Sequence, residues 1–277
     1  MSLIESTFDL NDENLISTID DLPLWSAPFG LKLLDIVNLK PNLNVLDIGS
    51  GMGFPIIELS QRLGNSCTVF GIDPWNKAIE RAKLKMKIWE ITNLQIIEGK
   101  AEELPFENDY FDLIISNNGT NNVDDEEKVF SEISRTAKYG AQLVITVNLP
   151  ETMIEFYDVY ERVLIENNKI GKVEKLKTHI HSKRKPLSST KEIIENAGFE
   201  INEIFEDSFS LRFLDGSTMF NHFFIRLAFM ESWRGILNQN DEKTILDAIE
   251  NELNKIAEAK GELSLTIPWV CINSSKK

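Results

Sequence analysis

The sequence predicts an α/β protein built around a Rossmann-like, wound and mostly parallel β-sheet. Three observations support this fold class. Short apolar runs alternate with longer amphipathic runs over residues 44–148. A glycine-rich turn joins the first apolar run to a helical pattern, and the next apolar run ends in an aspartate. Such alternation is typical of parallel strands covered by helices. We expect seven strands with the last antiparallel, helices on both faces of the sheet, and a helical cap.

The first half of the chain carries most of the predicted sheet. Strands are expected over residues 45–48, 68–72, 94–98, 111–116 and 142–148, and helices over residues 55–63, 76–89 and 125–138. Pro55 suits the first turn of its helix, because a proline lacks the N–H group that this position would leave unpaired. A right-handed parallel arrangement of these units is the expected topology.

Beyond residue 148 the pattern changes character. Helices are predicted over residues 151–168 and 188–197, in the aromatic stretch STMFNHFFIRLAFMESWRGIL, and over residues 241–260. Strand signals cover residues 199–213, with an interruption, and LSLTIPWVCIN near the end. Because no linker or repeat is visible, we expect one domain over residues 1–277. Its core would comprise residues 30–150, 187–213 and 263–275, and its cap residues 1–30, 151–186 and 214–262.

Composition limits the classes of partner. The 277 residues include 44 acidic and 29 basic ones, a formal net charge of −15, which disfavours nucleic acid and anionic membranes as partners. No apolar run approaches the roughly 20 residues of a membrane span, and the polar start MSLIESTFDLNDEN lacks a secretory signal. Cys67 and Cys271 lie in strand-like runs without metal-ligand spacing. We therefore expect a cytoplasmic monomer or homodimer with buried thiols, no metal and a small-molecule partner.

The glycine-rich turn lies in NVLDIGSGMGFPIIELS. Gly49, Gly51 and Gly53 form G-x-G-x-G, which is one residue shorter than the dinucleotide pattern G-x-G-x-x-G. Glycines let backbone N–H groups come close to a ligand, because they carry no side chain. The turn alone does not distinguish dinucleotides, phosphates and S-adenosylmethionine (SAM).

A carboxylate follows at the end of the next strand, in FGIDPW. Asp73 lies 20 residues after Gly53, beside the predicted turn, where it would accept hydrogen bonds from both hydroxyls of a ribose. The alternative is an aspartate that only caps a turn or helix before Pro74. Pro74 and Trp75 then offer a flat apolar surface for an adenine.

A third element, EGKAEELPFENDYFDLIISNNGTNNV, completes a family pattern. Together with VLDIGSGMG, GIDPW and SEISRTAKYGAQLVI, it resembles the class I SAM-dependent methyltransferases, in their small-molecule, quinone-biosynthesis-like branch, over residues 24–148. The resemblance implies methyl transfer from SAM to a small-molecule acceptor. An NAD-dependent dehydrogenase would share the glycine turn and the ribose carboxylate but not AEELPF and SNNG. A SAM- or nucleotide-binding protein without transferase activity stays open, whereas a nucleic-acid methyltransferase is disfavoured by the charge.

The resemblance also implies a cofactor site. The turn would hold the methionine part of SAM, supported by Asp47, while Asp73 would bind the ribose and residues 101–102 would lie along the adenine. Lys100 departs from the family, which commonly has an aspartate there for the adenine amino group. The implied cofactor residues are Asp47, Gly49, Ser50, Gly51, Gly53, Asp73, Pro74, Trp75, Lys100, Ala101, Glu102, Asn117, Asn118 and Gly119.

Residues for the acceptor are harder to identify. A thiol, an amine or a carbanion-like ring carbon needs no general base, whereas a hydroxyl acceptor does. His222, His181 and Tyr157 are the candidate catalytic residues. The candidate acceptor-binding residues are Trp25, Phe29, Asn122, Arg184, His222 and Arg226.

Two of these regions leave alternatives open. His179 and His181 alternate as on a strand, which would place both on one face. They are candidates for a metal pair, for a basic substrate-facing cluster with the following Lys-Arg-Lys, or for a solvated loop. The aromatic helix around His222 is either core or an apolar lid over the acceptor.

Overall fold

The fold is described from a computed structural model, which covers residues 9, 11–12, 16–17 and 24–277. Its strands are β1 (Asn44–Ile48), β2 (Thr68–Asp73), β3 (Leu94–Glu98), β4 (Phe111–Asn117), β5 (Ala137–Asn148), β6 (Phe199–Phe213) and β7 (Leu263–Lys276). They form one sheet with the order β3-β2-β1-β4-β5-β7-β6. Strands β1 to β5 pair in parallel, and β7 is antiparallel to β5. The predicted seven-stranded, Rossmann-like and mostly parallel sheet is confirmed.

The predicted helices occur in the expected order, and one further helix forms in the basic segment 169–185. They are α1 (Ala27–Ile36), α2 (Ile56–Leu63), α3 (Asn76–Ile88), α4 (Glu126–Thr136), α5 (Ile154–Glu166), α6 (Ile170–Lys183), α7 (Leu187–Asn196), α8 (Gly216–Asn221), α9 (Phe223–Ile225), α10 (Glu231–Arg234) and α11 (Gln239–Lys260). The prediction of a single aromatic helix was wrong, because the stretch is divided into α8, α9, a π-helical turn at Arg226–Met230 and α10. The interruption expected in β6 is absent, since this strand runs continuously.

The chain divides into two compact units. The first, called here the sheet unit, comprises Asp9–Asn148, Pro186–Asp207 and Trp269–Lys277, within the described residues. The second, called the aromatic unit, contains Leu149–Lys185 and Ser208–Pro268. None of the described helices has the length and apolar character needed to cross a membrane.

In the sheet unit, the two central strands are buried on both faces. Val45, Leu46 and Ile48 of β1 are buried, and so are Leu113 to Ile115 of β4. This explains why these segments read as continuous apolar runs rather than as alternating ones. The two strands pair in parallel, so their carboxyl ends meet at the same edge.

The aromatic unit is organised around a stacked ring pair. Phe156 of α5 lies on Trp233 of α10 with ring centroids 3.9 Å apart, and the Tyr160 hydroxyl donates to the Trp233 carbonyl at 2.9 Å. Burial raises the pKa of Tyr160 beyond its usual range, with smaller contributions from the charges of Glu242 and Tyr157. Helix α11 packs through residues at helical spacing, including Ile249. Seven of the 21 residues in the aromatic stretch are buried, Trp233 among them, and the others are half-buried or exposed.

Two glycines bring the ends of β1 and β4 into backbone contact. A Cβ atom on Gly49 would lie 2.7 Å from the Gly119 Cα, and one on Gly119 would lie 2.1 Å from the Ile48 carbonyl oxygen. Gly49 also has a φ of +79°, which side-chain-bearing residues rarely adopt. Only glycine fits at either position without moving the backbone.

We therefore expect Gly119→Ala to lower the free energy of unfolding by about 2 kcal/mol, because the added methyl group overpacks against a carbonyl. Gly171→Ala is the matched control, since a Cβ there meets nothing within 4 Å and the residue lies in α6. The control should raise the free energy of unfolding by about 0.5 kcal/mol. Urea unfolding measures both, and equal stability of the two variants would contradict the backbone contact.

Candidate cofactor-binding site

A cavity of about 440 Å³ lies in the sheet unit, at the carboxyl ends of β1, β2 and β4. Its volume falls in the range of small-molecule and cofactor sites, and this edge is where open α/β sheets bind ligands. Residues from four turns line it, one turn after each of β1 to β4. The motifs singled out in the sequence therefore meet at one place.

Asp73, at the end of β2, joins the cavity to the glycine turn. Its carboxylate accepts the N–H groups of Gly51 and Trp75, each at 2.8 Å. Partial burial raises the pKa of Asp73, and these two hydrogen bonds oppose the rise. The hydrogen bond to the Trp75 N–H is the contact expected of an aspartate that only caps a turn. However, Asp73 also lines the cavity together with Pro74 and Trp75. Each carboxylate oxygen keeps a lone pair for a ligand hydroxyl.

Asp47, in β1, is an acidic residue in an unusual environment for a charged group. Its side chain is only 1% exposed, and neither carboxylate oxygen has a hydrogen-bond partner among the described residues. Burial, and secondarily the charge of Asp73, raise the pKa of Asp47 well above its usual value. Most buried polar groups in proteins are hydrogen-bonded, so a bare carboxylate in this position requires an explanation.

The remaining residues of the glycine turn lie behind the cavity wall. Of the three glycines, Gly49 lines the cavity, whereas Gly51 and Gly53 do not. A Cβ on Gly53 would collide with the Ile57 side chain at 2.3 Å, so this glycine permits close packing of α2. Ser50 is buried, and its hydroxyl has no hydrogen-bond partner among the described residues. Its side chain occupies space left open by the glycine at position 71.

The turn after β3 contributes Lys100, Ala101 and Glu102 to the cavity wall. Ala101 is buried, while the exposed Lys100 ammonium lies 3.3 Å from the Asp124 carboxylate. Glu102 accepts the N–H groups of Asp124 at 2.9 Å and Asp125 at 3.4 Å. These contacts tie the turn after β3 to the loop that follows β4.

The turn after β4 is held by an asparagine pair. Asn117 donates to the Ser26 carbonyl at 3.2 Å and accepts the Thr146 hydroxyl at 2.9 Å. Asn118 has a φ of +59°, and its N–H donates to the Thr146 carbonyl at 3.1 Å. Its side-chain amide nitrogen is buried without a partner among the described residues. Both asparagines and Gly119 line the cavity.

The sequence interpretation missed six lining residues. Two of them lie at the carboxyl ends of buried strands, and the others lie in turns or loops; they are Ser26, Ile48, Ile72, Gly99, Val123 and Asp124. For Ile48, Ile72 and Gly99 a signal existed, since each lies at the carboxyl end of a predicted parallel strand, where ligands bind. Asp124 had no such signal.

The candidate acceptor residues divide between the two units. Trp25 and Asn122 line the cavity, but Phe29 does not. Phe29 is fully buried and packs edge-on against Trp269, with ring centroids 5.2 Å apart. The other candidates belong to the aromatic unit; they are Arg184, His222 and Arg226.

Two of the candidate catalytic side chains are placed as follows. His222 connects α8 to α9 and meets the Phe213 ring edge-on at 5.3 Å. Partial desolvation lowers the pKa of this largely exposed imidazole. Tyr157 is buried in the aromatic unit, and Arg226 begins the π-helical turn.

The strand-like arrangement predicted for the two nearby histidines was wrong. Both lie in α6, where residues two apart point to different sides of the helix. His179 is half-buried with Nε2 3.4 Å from the Tyr157 hydroxyl, whereas His181 is exposed. Within the part of the chain that the structure describes, no group of three or more His, Cys, Asp or Glu could hold a metal ion.

Comparisons with known proteins agree with the fold and with the motifs. A protein-family model described as methyltransferase domain matches residues 39–198. The demethylmenaquinone methyltransferase of Bacillus mycoides (strain KBAB4) is 30% identical over 125 residues, which cover 45% of this chain and 53% of that protein. The chain thus matches about half the length of this curated relative.

Solved structures share the fold at low sequence identity. The YcgJ protein of Bacillus subtilis is 17% identical with a TM-score of 0.58, covering 91% of this chain and 99% of its own. A SAM-dependent methyltransferase from Aquifex aeolicus is 21% identical with a TM-score of 0.51, covering 70% of this chain and 91% of its own. At these identities the likeness concerns the fold alone.

The bare charge of Asp47 leads to a stability prediction. Because the folded state raises this pKa, ionisation opposes folding as the pH rises above the usual carboxyl value of 3.8, and the full cost is present above the raised pKa. At neutral pH we expect Asp47→Asn to raise the free energy of unfolding of the ligand-free protein by about 1 to 3 kcal/mol. Below pH 3.8 the difference from wild type should largely disappear.

Asp112→Asn is the matched control, because Asp112 is bonded to Lys138 at 2.8 Å and to the N–H of Asn44 at 2.8 Å. This substitution should lower the free energy of unfolding at neutral pH. Urea unfolding across pH measures both variants, and destabilisation by both would show that Asp47 has a partner in the folded protein.

Proposed function

The chain belongs to the methyltransferase domain family and to its SAM-dependent class, and on that premise we propose that it transfers a methyl group to a small acceptor with apolar surface. The observation that carries the proposal is the position of Asp73. Its carboxylate lines the cavity while it fixes the glycine turn through the Gly51 N–H. A ligand with a free ribose diol suits this carboxylate, which favours an adenosyl group over a phosphate alone.

The other walls suit the remaining parts of SAM. Pro74, Trp75 and Ala101 offer apolar surface for the adenine, next to the carboxylate that would take the ribose. Lys100 replaces the acceptor that the family commonly places near the adenine amino group, so we propose that the Asp124 carboxylate, 3.3 Å from Lys100, serves that edge instead. Asn117, Asn118 and Gly119 would face the methionine end, where the buried Asn118 amide still lacks an acceptor among the described residues.

The charge of SAM also fits the site. SAM supplies a methyl group activated by a sulfonium, and its amino acid part carries an ammonium. Asp47 lies two residues before Gly49 in the buried end of β1, without a partner among the described residues. In a low-dielectric interior a carboxylate attracts a nearby cation strongly, so Asp47 would favour a positively charged ligand behind this wall. This proposal would account for the orphaned carboxylate.

The protein residues mainly have to exclude water and orient the acceptor. Methyl transfer needs the acceptor atom about 3 Å from the methyl carbon, in line with the breaking bond. Trp25 and Asn122 line the cavity and would bound the acceptor side. A thiol, an amine or an electron-rich ring carbon would react without a base. For a hydroxyl acceptor, His222 is the candidate base, and partial desolvation lowers the pKa of its imidazole.

The relatives suggest where to search for the acceptor. The matched relative is called demethylmenaquinone methyltransferase, which makes reduced quinone-like rings a first acceptor class to test. We further propose a cytoplasmic monomer or homodimer that does not bind nucleic acid. The buried, disulfide-free Cys67 and Cys271 and the net charge of −15 support this proposal.

Isothermal calorimetry with SAM and S-adenosylhomocysteine tests the proposed site. We expect Asp73→Ala to weaken both ligands at least about tenfold, because it removes hydrogen bonds to a charged acceptor. Glu58→Gln is the control, since Glu58 is exposed on α2 and pairs only with Arg62 in the described structure. Its affinity should equal that of wild type.

The outcomes separate the alternatives. Absence of SAM binding by the wild-type protein would overturn the proposal. SAM binding without transfer to a panel of thiols, amines, phenols and reduced quinones would favour a SAM-binding protein without transferase activity. Binding of NAD with higher affinity than SAM would favour a dehydrogenase.

A further inference from the structure

We infer that Arg184 is the anchor of an oxyanion-binding site in the aromatic unit. Its side chain is only 6% exposed. Among the described residues, its guanidinium has one polar contact, between Nη1 and the Tyr157 hydroxyl at 3.4 Å. No carboxylate of the described residues forms an ion pair with it, although the chain carries 44 acidic residues.

The contact to Tyr157 cannot neutralise the arginine. The Tyr157 hydroxyl already accepts the indole N–H of Trp233 at 3.1 Å and lies 3.4 Å from His179 Nε2. The guanidinium carbon lies 5.8 Å from the centre of the Tyr157 ring, an arrangement that gives a weak cation–π attraction. Tyr157, which Trp233 holds in place, therefore contacts Arg184 but supplies no negative charge.

A buried arginine without a counter-ion is costly. Arginine stays protonated in proteins, so it cannot avoid the cost by losing its proton. Buried charges are normally paired, and removal of one partner from a buried pair is strongly destabilising. The counter-ion of Arg184 should therefore come from a ligand.

The geometry of the guanidinium defines the ligand class. Its remaining N–H groups form a planar fork, which matches the two oxygens of a carboxylate or a phosphate group. The ligand class is therefore a small molecule that carries a carboxylate or a phosphate group. An apolar body on that molecule suits the buried Tyr157 ring beside the guanidinium.

Thermal unfolding with inorganic phosphate and with acetate tests the site directly, at constant ionic strength set by chloride. We expect both anions to raise the Tm of the full chain and of Arg162→Met. Arg162 is exposed and paired with Glu252, which makes it the matched control. In Arg184→Met this response should fall at least about tenfold in apparent affinity, as expected for loss of a charged hydrogen-bond donor.

The change in Tm that Arg184→Met causes without phosphate or acetate distinguishes a ligand site from a structural ion pair. Arg184→Met should raise the Tm in chloride alone, because it replaces an uncompensated buried charge by an apolar side chain. A lower Tm for Arg184→Met, or an unchanged anion response, would overturn the inference. SAM calorimetry on the same samples distinguishes this failure from failure of the proposed function, because the wild-type protein would then still bind SAM.

Benzoate and methyl benzoate test whether the oxyanion is the group that binds, with the same Tm measurement. An oxyanion site predicts that benzoate raises the Tm of the wild-type protein, that methyl benzoate does not, and that phosphate weakens the response to benzoate. An equal response to the acid and the ester, with no competition by phosphate, would overturn the inference.

Discussion

The backbone contact between Gly49 and Gly119 is the constraint on which the site depends. Side chains at these positions would overlap neighbouring backbone atoms, so the carboxyl ends of β1 and β4 approach more closely than other residues allow. The contact fixes the turns after both strands, and each turn lines the cavity. Asp73 then holds the glycine turn from the side of β2. Three adjacent strand ends are thereby positioned by glycine sterics and one carboxylate.

Function and stability oppose each other in this arrangement. Asp47 is buried without a partner among the described residues, which raises its pKa and opposes folding of the ionised form. Arg184 presents the opposite charge in the aromatic unit, again without a counter-ion among the described residues. A cation near Asp47 and an oxyanion on Arg184 would each relieve such a cost. Proteins commonly accept local destabilisation where a ligand supplies the missing partner.

The sequence predicted the sheet unit well for physical reasons. Buried parallel strands read as apolar runs, and a glycine turn followed by a ribose carboxylate has a steric and chemical meaning at fixed spacing. This spacing alone therefore predicts that Asp73 and Gly49 lie at one site. The ion pair between Lys100 and Asp124 had no local signal, because it joins two turns that meet only in the folded sheet.

The aromatic unit was less predictable. The alternation of His179 and His181 suggested a strand, yet the same segment carries a helical period. Its apolar residues recur at intervals of three or four, at positions 170, 173, 176 and 180. The burial of Arg184 has no sequence signature at all, since it depends on the packing of Tyr157 and Trp233 from distant elements. The π-helical turn at Arg226–Met230 likewise interrupts a pattern that reads as one continuous helix.

The pKa of Asp47, followed by NMR of its labelled side-chain carboxyl carbon, tests the central claim most directly. In the ligand-free protein this pKa should lie well above 3.8, because the carboxylate is buried without a partner among the described residues. Saturation with S-adenosylhomocysteine, which carries the ammonium of SAM, should lower it by at least about one unit. An unchanged pKa in protein that calorimetry shows to be saturated would contradict the claim that Asp47 compensates the positive charge of the cofactor.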